Sequence, residues 1–289
     1  MSTQPWWKHR QLYNVLSFGR QHFPFRFWVL VVGWVLWILV FAYLYFWRVR
    51  VGVPAQLFFI LFCLLLYPLV QGYRWFDRSA RHAFWKETAT ALGWRYEPTV
   101  AVSESQGVIF QRGRDRKSTN VLTGTLIGRP MQIFEYEYSE YVGDSTVRFR
   151  FLVLLLTFKG SFPHLYLDRL KNGRGNVVGE HIPLPTEFEK KFALYAPREY
   201  EMEALQIFTP DLLQRILDLG IPYDVEFANG NLCIVIQGSI LDKDVLKERL
   251  ALAEKIVHLF GRVLDRASFT PITGRPTGLR HAPADSLRL

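Results

Sequence analysis

Between Phe27 and Trp47 the chain runs for 21 residues without a charge, FWVLVVGWVLWILVFAYLYFW. As an α-helix, at about 1.5 Å per residue, this stretch spans roughly 31 Å, the hydrocarbon thickness of a bilayer. A cleaved signal peptide is the other reading, and it fits poorly. The apolar run is too long, begins too late and lacks a small-residue cleavage site. A second uncharged run extends from Val51 to Tyr73, with its apolar heart at Leu57–Val70 (LFFILFCLLLYPLV). The link Arg48–Pro54 is short, so the pattern predicts a transmembrane helical hairpin with spans at 27–47 and 53–73. Pro68 and Gln71 weaken the end of the second run, where a buried or re-entrant helix is the alternative.

Basic residues flanking the spans set the expected orientation. Lys8, Arg10, Arg20 and Arg26 precede the first span; Arg74, Arg78, Arg81 and Lys86 follow the second; only Arg48 and Arg50 lie in the connection. This predicts a multi-pass protein of the inner (plasma) membrane with both termini cytoplasmic. Trp6, Trp7, Trp28, Trp47, Trp75 and Trp85 lie at or beyond the span ends. Indole rings favour the headgroup region, so these six, with Arg26, Arg48, Arg74, Arg78 and Arg81, are the expected membrane-interface anchors. Residues 1–26 mix aromatic and basic side chains. They are expected to lie along the anionic inner leaflet, a loose basic tail being the alternative.

Charge placement narrows the partners. The formal net charge is +9, and residues 1–86 hold ten Lys/Arg against the single acid Asp77. The rest of the chain is balanced, with 25 basic and 25 acidic residues. A nucleic-acid-binding module carries its excess on the folded domain. Here the excess sits beside the bilayer, which implies anionic lipid as a partner and no nucleic acid. An apolar content of 49% excludes a disordered chain, and two cysteines exclude a disulfide framework or a four-cysteine zinc site.

After the spans, residues 74–93 read as a juxtamembrane helix ended by Gly93. From Trp94 the period changes. Short β-like runs at 94–100, 108–112, 120–127, 131–141, 147–158 and 164–167 are separated by turn residues, which predicts an antiparallel meander. GRDRK (Gly113–Lys117) reads as an exposed loop and residues 171–185 as a long loop. A helix is expected from Thr186, where Thr186 and Glu189 match a capping box before Phe188 and Phe192. Another starts at Thr209-Pro210-Asp211, with Pro at its first position. Asn229-Gly230 between apolar runs is a strong hairpin signal. Leu246, Leu250, Ala253, Val257, Phe260 and Leu264 recur at helical spacing and predict a long amphipathic helix. The fold class is therefore α+β: an N-terminal transmembrane hairpin, then a soluble domain (94–265) with an antiparallel β-meander and C-terminal helices. Residues 266–289, rich in Pro, Gly and small polar residues, are expected to be a disordered tail.

No reaction signature stands out. GRGNVVG (173–179) is a near miss to the dinucleotide fingerprint, but its spacing is wrong and no helix pattern follows. The seven histidines form no local metal pair. No cofactor and no metal are expected. Cys63 and Cys233 read as small apolar packing groups. Glu135, Glu137, Glu140 and Asp144 cluster in sequence, and Glu199, Glu201 and Glu203 form a second group. Acids do acid–base work only where folding fixes their separation.

Ala91-Leu92-Gly93-Trp94-Arg95-Tyr96, Phe192-Ala193-Leu194-Tyr195-Ala196-Pro197, Leu205–Leu213 and Leu232-Cys233-Ile234-Val235 give residues 85–240 a look that resembles an uncharacterised family of bacterial membrane proteins. The resemblance implies a two-helix anchor and a cytoplasmic α+β domain of unknown function, and it transfers no catalytic residue. The expected function is a non-catalytic cytoplasmic domain binding a protein or small ligand at the membrane surface. The alternatives are a membrane-surface enzyme, with Glu135, Glu137, Glu140 or His181 gathered in one pocket, and a lipid-handling β-domain with an apolar cavity.

Overall fold

The computed structural model describes residues 7–51, 54–101, 103–143, 145–172, 177–269 and 279–281. They divide into two compact units, residues 1–88 and 89–289.

The first unit is helical. Helix α1 (Trp7–His22) ends where Phe23 leaves the helical path and Pro24 opens α2 (Pro24–Val51). His22 closes α1: its ring stacks on Phe18 and its Nδ1 lies 3.0 Å from the Phe18 carbonyl. Helix α3 (Ala55–Leu92) is one continuous element of 38 residues, and Pro68 lies inside it without ending it. Contacts between α2 and α3 run in opposite directions along the two helices. Leu30 meets Gly72, Leu69 meets Gly33 and Trp37 meets Phe62, which makes an antiparallel pair. Helix α1 packs on α3 as well: Phe18 meets Phe84 edge-on, and Gly19 sits against the Phe76 ring. Within the expected interfacial segment, residues 7–22 form a helix with a protein-facing side, its Val15 and Phe18 buried, and residues 1–6 lie outside the described residues.

Two spans were expected, and one helix qualifies. Among the described residues only Pro24–Arg50 is long and apolar enough to cross a membrane, and none of its apolar window is buried. The second apolar run forms no helix of its own. It is the first half of α3, whose second half carries Arg74, Asp77, Arg78, Arg81 and Lys86.

The second unit is built on a nine-stranded antiparallel sheet, in the order β1-β2-β3-β4-β10-β9-β5-β8-β7. Strands β1 (Arg95–Thr99), β2 (Arg114–Leu126), β3 (Arg129–Val142) and β4 (Ser145–Thr157) form the expected meander. The second half holds β5 (Leu165–Arg169), the two-residue β6 (Val177–Val178), β7 (Glu180–Ile182) and β8 (Phe192–Ala196). Then come β9 (Asp224–Ala228), β10 (Asn231–Gln237) and the two-residue β11 (Arg280–His281), which pairs with β6. Helices α4 (Thr186–Glu189), α5 (Glu201–Ile207), α6 (Pro210–Leu219) and α7 (Lys243–Arg266) complete the unit.

Several local expectations hold. Thr209 caps α6 through its hydroxyl, and the Asp242 carboxylate accepts from the Asp244 and Val245 amides to cap α7. Asn229 and Gly230 both take positive φ, +50° and +72°, the geometry of a type I′ turn. Others change. Val108–Gln111 is a 3₁₀ turn, not a strand. GRDRK is no free loop, because Arg114 already belongs to β2. The helix at Thr186 lasts four residues, and Phe192, expected on it, starts β8. Within the expected long loop 171–185, Glu180–Ile182 adds an edge strand to β8. The expected tail is partly docked: Leu279 is buried and Arg280–His281 pair with Val177–Val178. The rest of that tail, 270–278 and 282–289, lies outside the described residues, as do residues 173–176 of the GRGNVVG stretch.

Both faces of the sheet are covered, which is why the central strand β4 is apolar on both sides. On one face Phe227 is the hub. It meets Phe162, Phe208 of the α5–α6 connection and Phe260 of α7, at 5.0–6.2 Å between ring centres. On the other, Ile109 and Phe110 of the 3₁₀ turn cover Phe134, Tyr136, Tyr138, Val153, Leu155 and Cys233. Arg129 of β3 grips Asp265 near the end of α7, with Nη1 2.7 Å from Oδ1.

Two consequences are measurable by denaturant unfolding of the purified protein. Phe227→Ala removes the hub ring and is expected to cost about 3–5 kcal/mol. The Arg129 hydrogen bond holds the Asp265 carboxyl below its ordinary value of 3.8. A depressed carboxyl stabilises the fold above its unfolded value and loses that contribution as pH falls through the folded one. The stability gap between the parent and Asp265→Asn is therefore expected to be constant from about pH 5 to 8 and to close below about pH 4.

Candidate functional site

Helix α2 is the first candidate, because many of its apolar side chains are exposed. Val32, Leu36, Ile38 and Leu39 are all more than half exposed. At its ends Trp28 and Trp47 are about half exposed, at 53% and 46%, as is Trp75 of α3 at 49%. The Arg26 guanidinium lies over the Trp75 ring, 4.6 Å from its centre, so a basic and an aromatic anchor are stacked together. Arg74 and Arg78 are exposed, and Arg48 is half-buried. Trp6 lies outside the described residues, and Trp7 is described only as the first residue of α1.

Two expected anchors behave differently. Trp85 is fully buried beside Phe84, so it is a packing residue and not a headgroup anchor. Arg81 is also buried and donates to the Asp77 carboxylate one turn earlier, at 3.0–3.1 Å. Its charge is spent within the helix and does not face lipid.

The acids singled out in the sequence are not gathered. Glu135 and Glu137 share one sheet face, yet each has its own partner. Glu135 accepts from Asn120 Nδ2 at 2.8 Å, and Glu137 pairs with Arg150. Tyr96 donates to Asn120 at 2.8 Å, and its phenol is pushed up to about 12 by burial and then by the Glu135 charge. Glu140 falls on the opposite face, and His181 sits on the edge strand β7, 3.6 Å from Glu189. Glu199 lies in the 3₁₀ turn before α5, and Glu201 and Glu203 lie in its first turn. No group of three or more metal-ligating side chains occurs among the described residues.

A cluster that sequence spacing does not announce lies on β5 and β9. Tyr166 and Glu226 are register partners, and His164, Asp168 and Asp224 project to the same face. His164, Asp168 and Glu226 are buried. The Leu279 amide donates to His164 Nδ1 at 2.9 Å, so that nitrogen carries no proton. The proton is on Nε2, which donates to Glu226 Oε1 at 2.5 Å. The Val108 amide donates to the same oxygen at 2.6 Å. One carboxylate oxygen thus ties together β5, β9, the 3₁₀ turn and the docked tail residue. Gly107 lies so close that a Cβ there would stand 2.8 Å from Glu226 Oε2. Burial, and then the Asp224, Glu226 and Asp168 charges, raise the Tyr166 phenol well above 10.0. Burial likewise raises the Cys233 thiol well above 9.0, which leaves it un-ionised and a poor nucleophile. Built on the buried His164 and Glu226, the cluster is a structural clasp.

Among the described residues, two clefts are open to solvent. One, of about 400 Å³, lies between α5 and the end of α7, with Phe162, Ile207 and Val263 in its wall and Arg262 and Arg266 at its rim. The other, of about 440 Å³, lies where β1 leaves the sheet beside β2. Val100, Phe110 and Tyr136 line it, together with Glu104, Arg116 and Lys117.

The features together define an α+β protein with, among the described residues, one helix near the N-terminus long and apolar enough to cross a membrane. No family model and no curated protein matches the chain. A crystal structure of the mycobacterial trehalose monomycolate transport factor A, TtfA, is similar over 66% of this chain and 97% of that one, at 15% identity and a TM-score of 0.43.

Removing the clasp is expected to be costly. Glu226→Ala leaves the Val108 amide and His164 Nε2 without an acceptor in a buried site, a loss of about 1–3 kcal/mol on top of the lost packing. Glu137→Ala, which breaks a pair whose side chains are 30% and 19% exposed, is expected to cost less than Glu226→Ala. Comparison of urea midpoints checks the ranking.

Proposed function

We propose that this chain is a plasma-membrane protein in which α2 crosses the bilayer and the apolar first half of α3, Leu57–Val70, returns through it. Both termini then lie in the cytoplasm. The unit 89–289 acts there as a non-catalytic module that binds a protein or a small ligand at the membrane surface. One observation carries the reading: α2 is uncharged from Phe27 to Trp47, and no residue of its apolar window is buried. In water such a surface is far larger than a monomeric fold tolerates. In lipid it is satisfied, and every backbone group along it is already hydrogen-bonded within the helix. The antiparallel contacts of α2 with α3 and the stacked Arg26–Trp75 pair support a returning second span with anchored ends. The separately partnered acids support binding over catalysis.

Three measurements on cells test this. The full chain is expected to stay in the membrane fraction after alkaline carbonate washing, with an intact mass that retains residues 24–50; a soluble protein, or a mass shortened by that segment, overturns the anchor. In a Cys63→Ser background, Pro54→Cys is expected to react with an impermeant maleimide in intact cells. Glu187→Cys and Asp244→Cys are expected to react only after permeabilisation. The reverse pattern places the module outside.

A further inference from the structure

We propose that the outer edge of β4, residues 145–149, takes an added strand from a partner protein, an extended segment in which acidic and apolar side chains alternate. This names a partner class for the binding reading above and rests on it.

The first observation is a stretch of β4 with no neighbour on one side. β4 pairs with β3 from Ser145 to Leu156, but with β10 only from Phe151 to Thr157. Ser145, Thr146, Val147 and Arg148 are exposed. The Gly238 amide donates to the Arg150 carbonyl at 2.8 Å, so the main-chain groups of Arg150 point away from β3. These directions alternate along a strand, and those of Arg148 and Thr146 therefore point the same way. No strand among the described residues meets them there.

The second observation is that this edge lacks the protection its counterparts carry. Open edges collect stray strands, and proteins blunt them with shortness, proline, charge or bulges. β1 has five residues, Pro98 among them, and β7 has three. Where β2 runs beyond β1 it carries Arg114-Asp115-Arg116-Lys117, and its register with β3 shifts there. Ser145–Phe149 has no proline, a continuous register with β3 and one charge, Arg148.

The third is the pair of faces that flank this edge. Cross-strand partners share a face. Lys117, Glu137 and Arg150 form one row, and Arg114, Ser139 and Arg148 form the next. Glu137 answers Arg150. Arg114 lies over the Tyr141 ring, 3.4 Å from its centre, and among the described residues no carboxylate pairs with Arg114, Lys117 or Arg148. That face is cationic. On the other, Val147, opposite Glu140, is 37% exposed, and Phe149 is half-buried and stacked on Tyr138 at 5.3 Å. A strand laid along β4 sets alternate side chains against the cations and against the apolar groups. Acids suit the one and aliphatic side chains the other. Pairing with β4 of a second copy brings another Arg148 to the cationic face, and like charges oppose it. An anionic membrane surface answers the cations and leaves the main-chain groups unused.

The test is fluorescence anisotropy of the full chain in phosphatidylcholine nanodiscs, with fluorescein-labelled Glu-Val-Glu-Val-Glu-Val as probe. Saturable binding is expected, at least about tenfold tighter than that of Lys-Val-Lys-Val-Lys-Val or of the block peptide Glu-Glu-Glu-Val-Val-Val. Thr146→Pro removes an outward N–H at an edge position, where proline is accommodated, and is expected to weaken binding about tenfold or more. Thr146→Ala keeps that N–H and is expected to leave binding unchanged. Arg148→Gln, a surface change, is expected to weaken it about threefold or more. Unchanged binding in Thr146→Pro and Arg148→Gln, or equal binding of the block peptide, overturns the proposal. A full chain that sediments as a dimer, and as a monomer with Thr146→Pro, gives the edge to a second copy. Displacement of the peptide by phosphatidylglycerol vesicles, but not by phosphatidylcholine vesicles, gives the face to the membrane. Either result also overturns the proposal. Carbonate extraction and cysteine labelling do not involve this edge, so failure of the peptide assay leaves the anchor standing, and failure there leaves the edge.

Discussion

Residues 151–156 of β4 belong to two ladders at once. On one side they pair with β3, and on the other they and Thr157 pair with β10, from Phe151 opposite Gln237 to Thr157 opposite Asn231. That double pairing joins the meander of the first four strands to the strands that follow it. It also explains the composition of the segment. Leu152, Val153, Leu154, Leu155 and Leu156 are all buried, because alternate residues point into two different cores. One of those cores is roofed by helices, the other by a 3₁₀ turn and a docked tail residue. Everything assigned to a site in this unit is arranged around that seam.

Where local chemistry decides structure, the chain was legible. The Asn229-Gly230 turn needs two positive φ values, and the two residues present supply them with little strain. Thr209 and Asp242 cap helices for the reason their side chains suggest. The long α7 stripe became the buried stripe, from Leu246 to Leu264. Phe192-Ala193-Leu194-Tyr195-Ala196 misled because a buried strand and a buried helix segment look alike when no polar residue marks a period. Val108-Ile109-Phe110 misled for the same reason, being apolar because it lies across a sheet face, not because it joins the sheet.

The clasp illustrates the harder case. Glu226 stands between Val225 and Phe227 and reads as the solvent-facing residue of an amphipathic strand. It is 1% exposed, because the strand is covered on both faces. Its partners lie 62 and 118 residues away in sequence, so only the register of β5 against β9 brings them together. The outer edge of β4 is similar: a strand from Val147 was legible, whereas the stop of β10 at Gln237 appears only with the fold. Arg81 and Trp85 show the opposite error. Both have the composition of interfacial anchors, and packing within the helical unit claims them first.

The seam has a consequence for biogenesis. Asn231 leaves the ribosome 74 residues after Thr157, its neighbour across the ladder. Throughout that interval the growing polypeptide presents β4 as a long greasy border with unanswered amides and carbonyls, the kind of border that recruits stray strands. Shielding that border until β10 arrives is therefore part of what correct assembly of this fold demands.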